Sequence, residues 1–162
     1  LQKDMLERAK KNKIFIATLT MGALRRRAPL GFFRNFVLDR SGSNKDQLDL
    51  KHHGLALIND LARIYALASG SSETATIQKL RASHRLGVLP KEHAKNLEDG
   101  WEFLSELRLQ AQQSSWQDSG HAKAFMDPST LSDLERRHLK STFRVITHAQ
   151  ESAQSAFARG MG

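Results

Sequence analysis

The sequence predicts an all-α fold, an antiparallel bundle of five to six helices of which three are long. Three observations support this. Only three prolines interrupt 162 residues. Apolar side chains recur at spacings of three and four with little β-branched alternation, the period of a helix rather than a strand. Short Gly- and Ser-rich runs, SGSNKD and SGSS, separate the periodic stretches.

The elements follow in order. A first helix is expected over 2–27, with Leu6, Ala9, Ile16 and Leu19 on one stripe. Arg25, Arg26 and Arg27 fall in its last turn, where cations complement the helix dipole. Pro29 disfavours helical geometry at Ala28 and ends it. The segment PLGFFRNFVLDR reads as a short helix over 30–39, and SGSNKD as a polar loop. A helix over 54–68 is stopped by SGSS, and another over 73–86 ends at Gly87. Pro90 suits the first turn of a long helix reaching 113, whose Leu97, Trp101, Leu104 and Leu107 form an apolar stripe. Residues 114–129 are expected as a loop held to the bundle by Trp116, Phe125 and Met126. Ser132 and Glu135 have capping-box spacing and open a last helix to 157, with a frayed tail after it.

A chain of this length fits one domain with a single core. Its longest apolar runs are four or five residues, against the roughly 20 a membrane-spanning helix needs. There is no cysteine, which excludes disulfide and thiolate chemistry and fits the cytoplasm. Starting at Leu1 without an evident signal segment, the chain is expected to be a piece of a longer protein. Net charge is +8 and uneven: residues 1–50 hold 11 Lys and Arg against 5 Asp and Glu, the other 112 residues 14 against 12. Such an excess favours anionic partners, or simply a solvated basic face.

Most catalytic chemistries fail on spacing. Glu135 and His138 have the Glu-x-x-His spacing of di-iron bundles, but no second such pair exists, so no metal is expected. No Gly-x-Ser-x-Gly elbow or phosphate-binding glycine motif occurs. Gly42-Ser43 is followed by Asp46 and Asp49, three apart and with no strand. Polymerase-β-type transferases instead hold Mg²⁺ with an Asp-x-Asp pair on one strand face. LRASHRLGVLPKEHAKNL resembles a helix-turn-helix, yet its second helix is acidic and too long for base reading, which argues against DNA. Arg137, Lys140 and Arg144 share one face of the last helix, suited to a phosphate or carboxylate or to acids such as Asp60 and Glu98.

The stretch 49–67, DLKHHGLALINDLARIYAL, combines a buried helix with Lys51, His52, Asn59, Asp60 and Arg63. Polar groups on an apolar helix need partners. Asp60 and Arg63, three apart, can pair with each other, while Lys51 and His52 sit just before the helix N-terminus, where the dipole favours an anion.

Three blocks, PLGFF at 29–33, LDLKHHGLALINDLARIYAL at 48–67 and TLSDLERRHLKSTFRVI at 130–146, together resemble the putative nucleotidyltransferase substrate-binding domain. This family is the helical C-terminal domain of bacterial proteins that also carry cyclic-nucleotide-binding and CBS modules. Asp49, Lys51, Gly54, Leu55, Ile58, Asp60, Ala62 and Arg63 carry the likeness. Ala56-Leu57 departs from it, where many relatives have a proline, and should loosen the helix start.

The resemblance implies a catalytic domain similar to PII uridylyltransferase upstream, with its Mg²⁺ and nucleoside triphosphate held there. This chain would be inactive alone and would need no cofactor. It would position an acceptor substrate, with a protein as one candidate, through Arg34, Lys51, His52, Asp60 and Arg63. Arg137 and Lys140 would form a second patch. The alternative expectation is a structural bundle relaying signals from sensor domains.

Overall fold

The computed structural model describes residues 1–30, 36, 38, 46–120 and 125–159. Within them the chain is an all-α bundle of six α-helices with one two-stranded sheet.

Two helices stand where the sequence predicts one. α1 covers Gln2–Lys11 and α2 covers Lys13–Ala23. Asn12 leaves helical geometry at φ −86, ψ 85, and its Oδ1 accepts a 2.9 Å hydrogen bond from the Phe15 N–H. Asparagine bonds nearby backbone in this way and so favours caps over helix interiors. Because α2 stops at Ala23, Arg25, Arg26 and Arg27 lie beyond it rather than in its last turn. Farther along, Leu30 and Phe36 pair as an antiparallel bridge, so these two residues of the short helix expected over 30–39 are bridge-paired rather than helical. The rest of that expected helix and most of the SGSNKD loop lie outside the described residues.

The sheet was not expected. β1, Leu48–Asp49, pairs antiparallel with β2, Phe125–Met126. Leu48 and Met126 are both buried, so the pairing closes the core, and two-residue strands are too short to leave a periodic trace. Phe125 and Met126 thus hold their segment to the bundle as anticipated.

A wide π-helical turn over Lys51–Leu55 leads into α3, Ala56–Ser69. Helical geometry therefore begins three residues earlier than expected, although the α-helix proper starts two residues later, with the Leu55 N–H donating to the Leu50 carbonyl at 3.0 Å. Gly70 closes α3 in the left-handed conformation at φ 75, which glycine adopts without penalty. α4 covers Thr76–Arg85, and α5 covers Lys91–Ser119. α5 runs six residues past its expected end because nothing in QQSSWQDS breaks a helix before Gly120 at φ 68. Trp116 consequently lies exposed on that helix instead of tacking a loop down. α6, Asp133–Phe157, opens with both bonds of the capping box: Glu135 N–H to Ser132 Oγ and Ser132 N–H to Glu135 Oε2.

α3 is the hub, packed against α1, α2, α4 and α6. Ile58, Leu61, Leu80, Leu97, Leu104, Leu139, Phe143 and Ile146 form the centre of one core. Two glycines let helices approach closely. A Cβ at Gly54 would lie 3.0 Å from Leu104, and one at Gly100 would lie 3.1 Å from Thr142.

Candidate functional site

The residues 49–63 form a corner built on β1, the π-turn and α3. Asp49 caps the turn: its Oδ1 accepts from the His52 N–H at 3.0 Å, and its Oδ2 lies 2.7 Å from His52 Nδ1. Burial pushes the Asp49 pKa up, but the backbone and side-chain bonds from His52 and the His52 and His53 charges outweigh it, leaving a net lowering. Lys51, His52 and His53 are exposed on the turn itself.

Beside the turn lies a cavity of about 350 Å³ lined by Arg27, Pro29, Leu30, Leu48, Asp49 and His53, among others. Its walls come from the segment after α2 and from β1 with the π-turn, so packing α2 against α3 creates it.

About one turn into α3, Asp60 bridges two arginines. Its Oδ2 accepts from Arg26 at 2.7 Å and its Oδ1 from Arg63 at 3.1 Å. The Arg63 pairing matches the spacing argument, whereas Arg26 comes from the run read as dipole compensation. Arg26 is fixed from the other side as well, because Gln150 Nε2 on α6 donates to its carbonyl at 2.8 Å. Asn59 Oδ1 accepts from Thr76 Oγ1 at 2.8 Å and from Trp101 Nε1 at 3.0 Å, tying α3 to the start of α4 and to α5. The polar residues of this apolar helix are joints between elements.

Arg137 and Lys140, expected as a second patch, lie three residues apart on α6. Arg137 Nε donates to the Asp133 carbonyl at 3.3 Å. Lys140 Nζ stands 5.4 Å from the centre of the Phe36 ring, which meets Phe143 edge-on. Arg144 opens on a groove between α5 and α6. Neither acid suggested as a partner serves these cations: Asp60 is held by Arg26 and Arg63, and Glu98 by Arg81. The hydrogen bond from Arg81 holds the Glu98 carboxyl below its ordinary pKa against the opposing effect of burial. That pair crosses the α4–α5 hairpin, which is the geometry of a bundle. His138 stacks on Phe103 at 3.7 Å between ring centres, and Glu135 is spent on the capping box. Among the described residues no group of three or more His, Asp and Glu could hold a metal ion.

A family model described as "Putative nucleotidyltransferase substrate binding domain" matches residues 13–157. The chain belongs to that family. The match starts at the first residue of α2 and ends at the last of α6, so it takes in the whole bundle except α1. A domain of this type implies a catalytic nucleotidyltransferase domain as its partner. No curated protein and no solved structure matches the chain. Among the described residues no helix is long and apolar enough to cross a membrane.

Of the family residues proposed from the sequence, Asp60 and Arg63 meet in one ion-pair cluster, and His52 pairs with Asp49. Lys51 is exposed on the turn between them, Arg137 and Lys140 lie on α6, and Arg34 lies outside the described residues. Sequence reasoning left Arg26, Arg27, Asp49 and His53 out of the site. The Asp-x-x-His spacing of Asp49 and His52 was a legible signal for a capped turn; the long-range reach of Arg26 had none.

Proposed function

We propose that this domain positions an acceptor substrate for a nucleotidyltransferase domain similar to PII uridylyltransferase, upstream in a longer bacterial signal-transduction protein in the cytoplasm. The observation that carries the reading is the family match over nearly the whole bundle. The corner at 49–63 adds a physical rationale. It joins a cavity to exposed Lys51, His52 and His53, with Arg27 on the cavity wall. At about 350 Å³ the cavity is at the small end of ligand pockets, the size for one side chain of a protein acceptor. Lys51 and Arg27 would attract an acidic surface beside that side chain.

In such a transfer an acceptor oxygen or nitrogen attacks the α-phosphorus of the triphosphate and pyrophosphate leaves. On this reading the Mg²⁺ and the triphosphate are held by the catalytic domain. This chain would bind and orient the acceptor.

A second reading, a structural bundle relaying signals from cyclic-nucleotide or CBS sensor domains, is favoured by one specific observation. Asp60 bonds Arg26 from the segment after α2, and the Asn59 Oδ1 ties α3 to α4 and α5. DNA binding is disfavoured by the acidic face of α5, with Glu92, Asp99, Glu102 and Glu106.

The two readings part on a transfer assay. With Mg²⁺ and a radiolabelled nucleoside triphosphate, the full-length protein should label an acceptor and this chain alone should label none. Label incorporated by the chain alone, or none by the full-length protein over a panel of acidic proteins, would overturn the acceptor reading.

A further inference from the structure

The groove between α5 and α6 lies apart from the corner at 49–63, and none of its lining comes from β1, the π-turn or α3. Its volume is about 230 Å³. Arg144, Ser141 and His148 contribute from α6, and His93 and Asn96 from the first two turns of α5. Leu97, Val145 and Ala149 make the apolar floor. We propose that this groove binds a phosphate group, carried by a small phosphorylated molecule or free in solution.

The donor set fits that chemistry. The Arg144 guanidinium makes no ion pair or hydrogen bond with the described residues, although Arg26, Arg63 and Arg81 are each paired to an acid. Its guanidinium is therefore available as a fork of N–H donors. The His93 and His148 rings meet edge to face, 5.3 Å between centres and 84° between planes. Their nitrogens have no hydrogen-bond partner among the described residues, so they can donate from two different directions. The Ser141 hydroxyl and Asn96 amide add neutral donors.

Donors arriving from several directions suit the three terminal oxygens of a phosphate, whereas a planar carboxylate would leave some of them unfilled. No carboxylate lines the groove to compete. The surface beyond His148 carries Glu151 together with Arg159, so opposite charges balance there. Two further effects favour an anion. The groove lies at the N-terminal end of α5, where the helix dipole is positive, and its apolar floor strengthens the attraction to Arg144.

Size narrows the ligand. Pockets for drug-sized molecules run from roughly 300 to 1,000 Å³. A groove of about 230 Å³ holds a phosphoryl group with the rest of its carrier outside. The inference does not rest on the acceptor reading.

Titration of the isotope-labelled chain with inorganic phosphate, glycerol phosphate and a nucleoside monophosphate, followed by amide chemical shifts, tests it. Saturable shifts should appear at residues 92–97 and 141–149. Arg144→Gln should weaken binding about tenfold or more, the loss expected for one charge-assisted partner. Arg85→Gln, an exposed cation on α4, should leave it unchanged. Arg144 is exposed, so its replacement spares the core, and an unaltered thermal midpoint verifies the fold. Tighter binding of the esters assigns an organic phosphate, and equal or better binding of inorganic phosphate assigns the free anion. Absence of saturable shifts at millimolar phosphate, unchanged binding by Arg144→Gln, or shifts confined to residues 49–63 would overturn the proposal. The last outcome would leave the acceptor corner standing.

Discussion

Asp49 and Glu98 illustrate how single side chains in this protein serve two elements at once. Asp49 ends β1 and caps the π-turn through His52, and Glu98 on α5 holds Arg81 on α4. Both carboxyls are held below their ordinary pKa values of 3.8 and 4.5. For Asp49, burial acts upward and is outweighed by the bonds and charges of His52 and His53; for Glu98 the Arg81 bond dominates. A folded-state pKa below the unfolded value means the unfolded chain binds protons more readily. Their stabilisation is thus complete above the unfolded values and lost as pH falls through the lower folded values. Urea midpoints measured from about pH 7 to about pH 3 should decline below pH 4.5, and more shallowly for Glu98→Gln than for the wild type. An identical decline in both proteins would show that the Arg81 pair contributes nothing to the acid limb. At this scale the sequence showed only local partners. Spacing offered Asp60 with Arg63, three residues apart, but Asp60 with Arg26 and Asn59 with Trp101 are separated by 34 and 42 residues. No periodicity encodes such pairs.

Helices α3, α4, α5 and α6 were legible because their apolar stripes are long and their stops are chemical. Gly70, Gly87 and Ser132 with Glu135 mark ends that the structure places within a few residues of expectation. The failures came where one local interaction decides the outcome. Asn12 divides the first helix by capping Phe15, although the apolar stripe runs through it. β1 and β2 pair across the chain with only two residues each. The π-turn was also invisible, since Gly54 was read as a helix start rather than as a contact. Its missing side chain lets the turn approach Leu104, itself fully buried on α5. Gly54→Val would force branched methyls into that contact, an overpacking that costs about 1–3 kcal/mol. For a chain of this size each kcal/mol lowers the thermal midpoint by about 2–4 °C. A midpoint unchanged or raised in Gly54→Val would mean that Leu104 can move aside and that the close approach is not required.

Across the whole molecule, charge and function divide differently from the simple excess seen in the sequence. The basic surplus of the first 50 residues supplies Arg26 to a structural ion pair and Arg27 to a cavity wall. On α6, Arg137 meets a backbone carbonyl, Lys140 the Phe36 ring and Arg144 the α5–α6 groove. The family could be read from residue order in three blocks, and the match over residues 13–157 bears that out. The candidate site was legible only in part, because a corner made from the segment after α2, β1, the π-turn and α3 exists only after folding. The central claim is that this corner faces an acceptor. The most direct measurement is kcat/KM for transfer by the full-length protein carrying Lys51→Ala or Arg63→Ala, with thermal midpoints taken on the same samples. Both positions are exposed, so each change should cost at most about 1 kcal/mol of stability. A loss of about tenfold or more in kcat/KM is expected, mainly through the acceptor KM, with the midpoint nearly unmoved. Unchanged kcat/KM in both variants would contradict it and leave the corner as a joint between helices.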